Sequence, residues 1–269
     1  MTNPLDTAGS PEELFSALFG LTGEVAVITG AAGALGREMS RMFATAGAAV
    51  VVADLDLPRA EDVAAGIRDK GGRALAVALD VMEETQIVSL FSRVQQEFGG
   101  VSILVNNAGI FPVRPLVDMS VSEWDKVLDL NLRGTFICTR EAVRSMKATG
   151  KRGRVVNVSS IASLHPVLQG YAHYGASKGG INMFTKEVAL EVAEYGINVN
   201  ALLIGGVSSP GRKPGAVSTV KGPATQPGRF LLGAADPWKH AVGALFLAGP
   251  GASHMTGELL VADGGFLIT

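Results

Sequence analysis

Tyr174 and Lys178 stand four residues apart in the segment Tyr174-Gly-Ala-Ser-Lys178. On a helix that spacing puts both on one face. A free phenol has a pKa of about 10. A neighbouring ammonium and a cationic nicotinamide would both favour the phenolate and lower that value. A phenol tuned in this way can take a proton from an alcohol or return one to a carbonyl. Alone, the pair is a common accident of sequence. It gains weight from a second motif, Thr29-Gly30-Ala-Ala-Gly33-Ala34-Leu35-Gly36. A strand, a glycine turn and a helix start make a diphosphate site: backbone N–H groups come close, and the helix dipole favours negative charge. Asp54 follows Gly36 by 18 residues, with Leu55 after it. A carboxylate there accepts hydrogen bonds from both adenosine-ribose hydroxyls and repels a 2′-phosphate. The pattern points to NAD rather than NADP, and no arginine sits in the glycine turn to offset Asp54. The competing reading of Asp54 is a plain helix N-cap.

Seven short apolar runs can hold these groups: Val25–Thr29, Ala49–Ala53, Ala74–Leu79, Ser102–Val105, Arg154–Val158, Asn198–Leu203 and Glu258–Val261. They are nearly continuous in apolar residues, as strands buried on both faces of a parallel sheet are. Helical stripes lie between them, such as Leu35, Met39, Met42, Phe43 and Ala46, or Ile87, Leu90, Phe91, Val94 and Phe98. Helix-to-strand junctions carry Gly47, Gly71–Gly72, Gly99–Gly100, Gly150 and Gly196. Strand-to-helix junctions carry Thr29–Gly30, Asp54, Asp80, Asn106–Asn107 and Ser159–Ser160. The strand carboxyl ends of a parallel sheet share one edge, where ligands bind. The sequence thus predicts an α/β fold, a doubly wound parallel (Rossmann) sheet in a single domain over 21–269. Residues 1–20 form an N-terminal extension with a short helix begun by Ser10. The Gly-, Pro-, Ser- and Thr-rich stretch at about 205–230 is expected to be a substrate lid.

Composition narrows the partners. The 269 residues carry 23 Lys+Arg against 25 Asp+Glu, a net charge of −2, and 47% are hydrophobic. No basic block suits nucleic acid. No apolar run reaches the roughly 20 residues that span a bilayer. The only cysteine, Cys138, cannot form an internal disulfide and reads as a core residue. The four histidines lack the spacing of a zinc site, so no metal is expected. These features predict a soluble cytoplasmic protein.

With this ordered set in view, the chain resembles the classical short-chain dehydrogenases/reductases over about residues 21–266. The set comprises the glycine turn, Asp54, Asp80, Asn106-Asn107-Ala108-Gly109, Asn131, Ser160, Tyr174 with Lys178, Thr256-Gly257 and Asp263-Gly264-Gly265. The resemblance implies reversible hydride transfer between NAD and a secondary alcohol or ketone. Tyr174 would be the general acid/base. Lys178 would lower its pKa and bind the nicotinamide ribose, and Asn131 would support a water proton relay. Ser160, preferred over Ser159, would hold the substrate oxygen. Two hydroxyl donors on one oxygen suit the charge that develops there. Asp80 and Val81 would contact adenine. Asn107, Ala108, Gly109, Gly205, Val207 and Ser209 would border the cofactor, with Gly109 and Gly205 leaving room beside it. The family also suggests a homotetramer built partly from helices around 120–149 and 172–195.

The chain departs from the family pattern in four places. Ala34 replaces the middle glycine of the turn, and the Ser160-to-Tyr174 spacing of 14 is one longer than usual. Ile204-Gly205 replaces Pro-Gly, and Ser209 stands where threonine is usual. None removes a catalytic group. The substrate pocket is expected at Phe111, Ala162, His165, Gln169 and Gly206, mostly apolar, with no arginine cluster for an anion. A small, neutral, moderately hydrophobic alcohol or ketone fits it. Two rivals stand beside this reading. One is a reductase of carrier-bound 3-oxoacyl groups, against which Asp54 argues. The other is a cofactor-binding protein without turnover, which the intact Ser160, Tyr174, Lys178 and Asn131 oppose.

Overall fold

The computed structural model describes residues 8–208 and 220–269. Its seven strands are β1 (Val25–Thr29), β2 (Ala49–Asp54), β3 (Arg73–Ala78), β4 (Ile103–Asn106), β5 (Gly153–Ser160), β6 (Ile197–Ile204) and β7 (Leu259–Ala262). They form one sheet in the order β3-β2-β1-β4-β5-β6-β7, and every neighbouring pair is parallel. The direction of winding reverses between β1 and β4, the place where such sheets open a binding crevice. β1 and β4 are buried at every residue, which explains their unbroken apolar runs. Each fully buried branched side chain there contributes roughly 1.5–3 kcal/mol.

Helices cover both faces. On one lie α2 (Ala34–Thr45), α3 (Leu57–Arg68) and α8 (Pro237–Ala248), which bury Met39, Phe43, Ile67 and Ala244 against β1 and β2. On the other lie α4 (Glu84–Phe98), α6 (Gly134–Thr149) and α7 (Ala172–Val192). These bury Ile87, Phe91, Ile137, Met146 and Val192 against the same sheet. Cys138 is among this second group, and burial pushes its thiol up to about 12, as suits a packing residue. The extension contributes α1 (Pro11–Phe19), capped by Ser10, whose hydroxyl accepts from the Glu13 amide at 3.2 Å. Phe19 of α1 packs against Phe246 of α8.

Two features support the site. The short helix α5 (Val121–Leu128) joins α6 through one π-helical turn, Asp129–Arg133, that carries Asn131. Beneath the carboxyl edge, buried amides link β4 to β5. Asn106 Nδ2 donates to Thr139 Oγ1 at 2.9 Å and to Asn157 Oδ1 at 2.8 Å, and Asn157 Nδ2 donates to Thr185 Oγ1 at 2.9 Å. This ladder joins α6, β4, β5 and α7 in one row of satisfied polar groups. Such a row costs little when complete and much when one member is removed.

Candidate active site

Tyr174 lies in the first turn of α7, within hydrogen-bonding reach of the Ser160 hydroxyl at the end of β5. Side chains alternate along a strand, so Ser159 and Ser160 face opposite ways. Ser159 donates inward to Asn182 Oδ1 at 2.7 Å. Ser160 remains at the edge, its Oγ accepting from the Ala162 amide at 3.1 Å. Lys178 follows one turn after Tyr174. It is buried, its Nζ donates to the Val158 carbonyl at 2.8 Å, and that nitrogen stands 5.8 Å from the Tyr174 ring centre.

Both members of the pair are shifted by burial. Burial pushes the Tyr174 phenol up to about 12; Ser160 pulls it down and Tyr171 pushes it up. Burial pushes Lys178 down to about 8. The protein's own groups therefore raise the phenol instead of lowering it. Loss of solvent is the largest influence on the phenol, and the Lys178 ammonium is committed to the Val158 carbonyl.

Asn131 is fully buried. Its Oδ1 accepts from the Ile110 amide at 2.9 Å, and its Nδ2 donates to the Ile110 carbonyl at 2.9 Å and to Ser177 Oγ at 3.0 Å. Ser177 in turn donates to the Tyr174 carbonyl at 2.8 Å. The Asn131 side chain thus braces the loop after β4 against the helix of Tyr174. A Cβ on Gly109 would lie 3.4 Å from Asn131 Oδ1 and 3.6 Å from Lys178 Nζ, so this glycine gives both side chains space.

The glycine turn is built from inside. Asn107 Nδ2 donates to the carbonyls of Thr29 and Gly30 at 2.9 and 3.0 Å, and Thr29 Oγ1 accepts from the Asn107 and Ala108 amides. Gly30 has φ +62°, and a Cβ there would come 2.8 Å from the Ala108 Cα. Gly33 begins α2 with no side-chain cap, and its missing Cβ would meet a single protein atom, the Gly30 carbonyl at 3.4 Å. An uncapped helix start with clear space at the glycine fits a dinucleotide diphosphate. Ala34 is exposed, and Leu35 packs half-buried against the core.

Asp54 sits at the end of β2. Its Oδ2 accepts from the Ala32 amide at 2.8 Å and its Oδ1 from the Asp56 amide at 3.0 Å. The N-cap of α3 is Asp56, so the competing role falls to its neighbour. Arg59 reaches the same corner, its guanidinium donating to the Ala32 carbonyl at 3.4 Å. The sequence places no arginine there, because Arg59 lies in another helix. Leu55 is exposed beside Asp54. At the end of β3, Asp80 Oδ1 accepts from the Met82 amide at 2.9 Å, and Val81 packs against Gly134.

On the substrate side, the Phe111 ring stands edge-on to Tyr174 at 6.1 Å, and Ala162 borders Ser160. His165 and Gln169 also hold the local chain. His165 Nδ1 pairs with the Pro166 carbonyl at 2.7 Å, and its ring packs edge-on against Phe266 at 5.7 Å. The Gln169 backbone N–H donates to the Lys221 carbonyl at 2.8 Å. Both seat the returning chain and the C-terminal turn. Gly205 lies against the C-terminal turn: a Cβ there would come 2.7 Å from the Asp263 Cα. It makes room for that turn. Gly206 faces Phe230, and Val207 bridges Ala235. Ser209 and the rest of 209–219, within the stretch expected to form a lid, lie outside the described residues.

Residues 24–216 match the sequence profile described as short chain dehydrogenase. The chain belongs to the short-chain dehydrogenase/reductase family. It is 40% identical to a cis-4-hydroxycyclohexanecarboxylate dehydrogenase of Sinomonas cyclohexanicum, over 90% of this chain and 96% of that one. It is 34% identical to a cyclopentanol dehydrogenase of Comamonas testosteroni, over 90% and 96%. A solved short-chain type dehydrogenase/reductase from Mycobacterium marinum superposes with a TM-score of 0.87 at 30% identity, covering all of both chains.

For this family member, some residues around the site escaped sequence reasoning. Tyr171 lies three residues before Tyr174 and packs against it at 5.1 Å; the i, i+3 spacing was the available signal. Asn182, eight residues after Tyr174, joins Ser159 to Ser163 through bonds of 2.7 Å each, and Ser163 donates to the Ser160 carbonyl. Asn182→Ala should remove one hydrogen bond each from Ser159 and Ser163, at about 0.5–1.5 kcal/mol per bond. Turnover is expected to fall about tenfold through misplacement of Ser160, while the KM for cofactor holds. Steady-state kinetics with a thermal melt check this. Unchanged turnover would remove Asn182 from the positioning of Ser160.

Proposed function

We propose that this protein is an NAD-dependent oxidoreductase interconverting a small, neutral, moderately hydrophobic secondary alcohol and its ketone. The observation that carries the proposal is the adjacency of the Ser160 hydroxyl and the Tyr174 phenol at the carboxyl end of β5. Two converging hydroxyls can hold one oxygen, as the charge developing on an alcohol or carbonyl requires. Tyr174 is the proton carrier of this proposal. In oxidation it accepts the hydroxyl proton, and in reduction it returns one to the carbonyl oxygen. Ser160 holds the same oxygen in both directions. Lys178, kept in place by Val158, supplies positive charge beneath the site and a donor for a ribose. NAD, when bound, supplies the hydride acceptor at its nicotinamide C4.

Gly30, Gly33 and Gly36 would admit the diphosphate at the start of α2. Asp54 retains lone pairs for ribose hydroxyls beside its two amide partners. Asp80 and Val81 would flank the adenine. A cytoplasmic location and a homotetramer belong to the same proposal. The first is supported by a single cysteine that is buried and protonated. The second is supported by the apolar Phe136, Met183 and Leu190 exposed on α6 and α7.

The test is near-ultraviolet absorbance of reduced nicotinamide over a panel of secondary alcohols, run with NAD and with NADP. NAD should support turnover and NADP should be the poorer cofactor. Arg59 makes the comparison demanding, because its guanidinium reaches the Ala32 carbonyl in the same corner as Asp54. A preference for NADP would overturn the Asp54 assignment, and no reduction with any alcohol would overturn the activity.

A further inference from the structure

The aromatic residues next to Tyr174 come from two separate loops. Phe111 follows β4 and Tyr171 precedes α7, and their rings stand 6.1 and 5.1 Å from the Tyr174 ring, inclined to it by 61° and 65°. Phe111 is 64% exposed, although an aromatic ring of that size loses free energy by facing water. The two loops are fastened together. The Arg114 amide donates to the Gly170 carbonyl at 3.0 Å, and Gly170 has φ +80° with no space for a Cβ, which would come 2.9 Å from Val113. Arg114 is held in turn by Glu123, with contacts of 2.8 and 2.7 Å. Glu123 belongs to the capping box that starts α5, and the Ser120 amide and Arg114 hold its carboxyl down to about 2. The ion pair therefore stays intact across ordinary assay pH, and Arg114 is committed to it rather than offered to a substrate.

We infer that Phe111 and Tyr171 form a fixed apolar slot that selects alcohols whose carbinol carbon lies in a saturated ring. The inference rests on the reading of Tyr174 given above. An alcohol bound at the Tyr174 oxygen must place its carbon body against these rings. A ring carbinol presents a wide apolar face to both while freezing few bonds. An acyclic alcohol of the same size buries similar area only after its rotatable bonds are fixed, which lowers its affinity. The clamp through Arg114 and Gly170 stops the slot from collapsing onto a narrow chain. Discrimination then comes from shape, with no charged partner involved.

The test compares cyclohexanol with hexan-2-ol, at saturating NAD, in the wild type and in Phe111→Ala, Tyr171→Ala and Tyr171→Phe. The wild type should favour the ring alcohol by about tenfold in kcat/KM, the range that apolar shape selection reaches. Each alanine variant should cut that ratio several-fold, chiefly through KM, and Tyr171→Phe should preserve it because the ring remains. Phe111 is largely exposed, so its truncation leaves the core intact, and a thermal melt confirms folding. A wild type without ring preference, or a ratio unmoved in both alanine variants, would overturn the slot. Ligand-observed NMR with cyclohexanone and hexan-2-one separates the slot from the activity. Preferential binding of the ring ketone that is lost in Phe111→Ala supports the slot even if no alcohol is oxidised. Equal binding of both ketones overturns it even if alcohols are oxidised.

Discussion

Tyr174→Phe should lose turnover by about 10²–10⁴-fold, the usual worth of a positioned acid or base, while binding of NAD is retained. The removed atom is a phenolic oxygen at the carboxyl end of β5, and the ring keeps its packing against Phe111 and Tyr171. The fold should therefore be undisturbed. The rate of the wild type should also report the ionisation. Burial holds the phenol near 12, so at neutral pH it is protonated and suited to donate. Oxidation needs the phenolate and should quicken as pH rises; reduction needs the phenol and should slow in the alkaline range. Both trends should vanish from the residual rate of the phenylalanine variant. Steady-state rates in both directions across pH, with a cofactor-binding titration, measure these effects. A variant that keeps the wild-type rate would show that the proton moves by another route.

Gly36→Ala should be the most damaging change in the cofactor loop. A Cβ there would lie 2.3 Å from the Gly30 carbonyl and 2.7 Å from the Ala31 Cα. Both are backbone atoms of the turn, so the turn itself must move. Overpacking of this kind costs about 1–3 kcal/mol, and the distortion falls on the amides that face a diphosphate. The KM for NAD should rise by about tenfold or more, since misplacing a charged-group contact costs at least that much, and the melting temperature should drop. Gly33→Ala is the counterpart, because its Cβ would meet just the Gly30 carbonyl at 3.4 Å. It should melt like the wild type and still bind NAD less well. Equal melting temperatures for Gly36→Ala and the wild type would refute the packing argument.

The sheet was legible because its strands are covered on both faces. All seven apolar runs became strands, with ends displaced by a residue or two, as at Arg73–Ala78 and Gly153–Ser160. The pairing of Tyr174 with Ser160 came from the family resemblance and not from spacing alone, whereas Ser10 caps its helix as its residue type suggests. What stayed hidden depends on neighbours far along the chain. No spacing shows that Gly205 yields to Asp263, or that Arg59 bends back to Ala32. The π-turn at Asp129–Arg133 interrupts a stretch whose apolar period runs on without a break. The direction of the Tyr174 shift is a balance between burial and charge. Sequence names the charged partner, while the three-dimensional packing decides how much water is lost.

The amide ladder under the carboxyl edge has one more consequence. Asn106 pairs with Asn157 in the β4–β5 register. Were β5 to slide by one residue, its alternation would be inverted. Ser159 would then emerge at the edge and Ser160 would turn toward Asn182. The choice between two adjacent, chemically identical hydroxyls is thus made three residues upstream, by side chains that never meet a substrate. Asn106 and Asn157 act as an alignment key for the sheet, and the identity of the serine beside Tyr174 is written in their pairing.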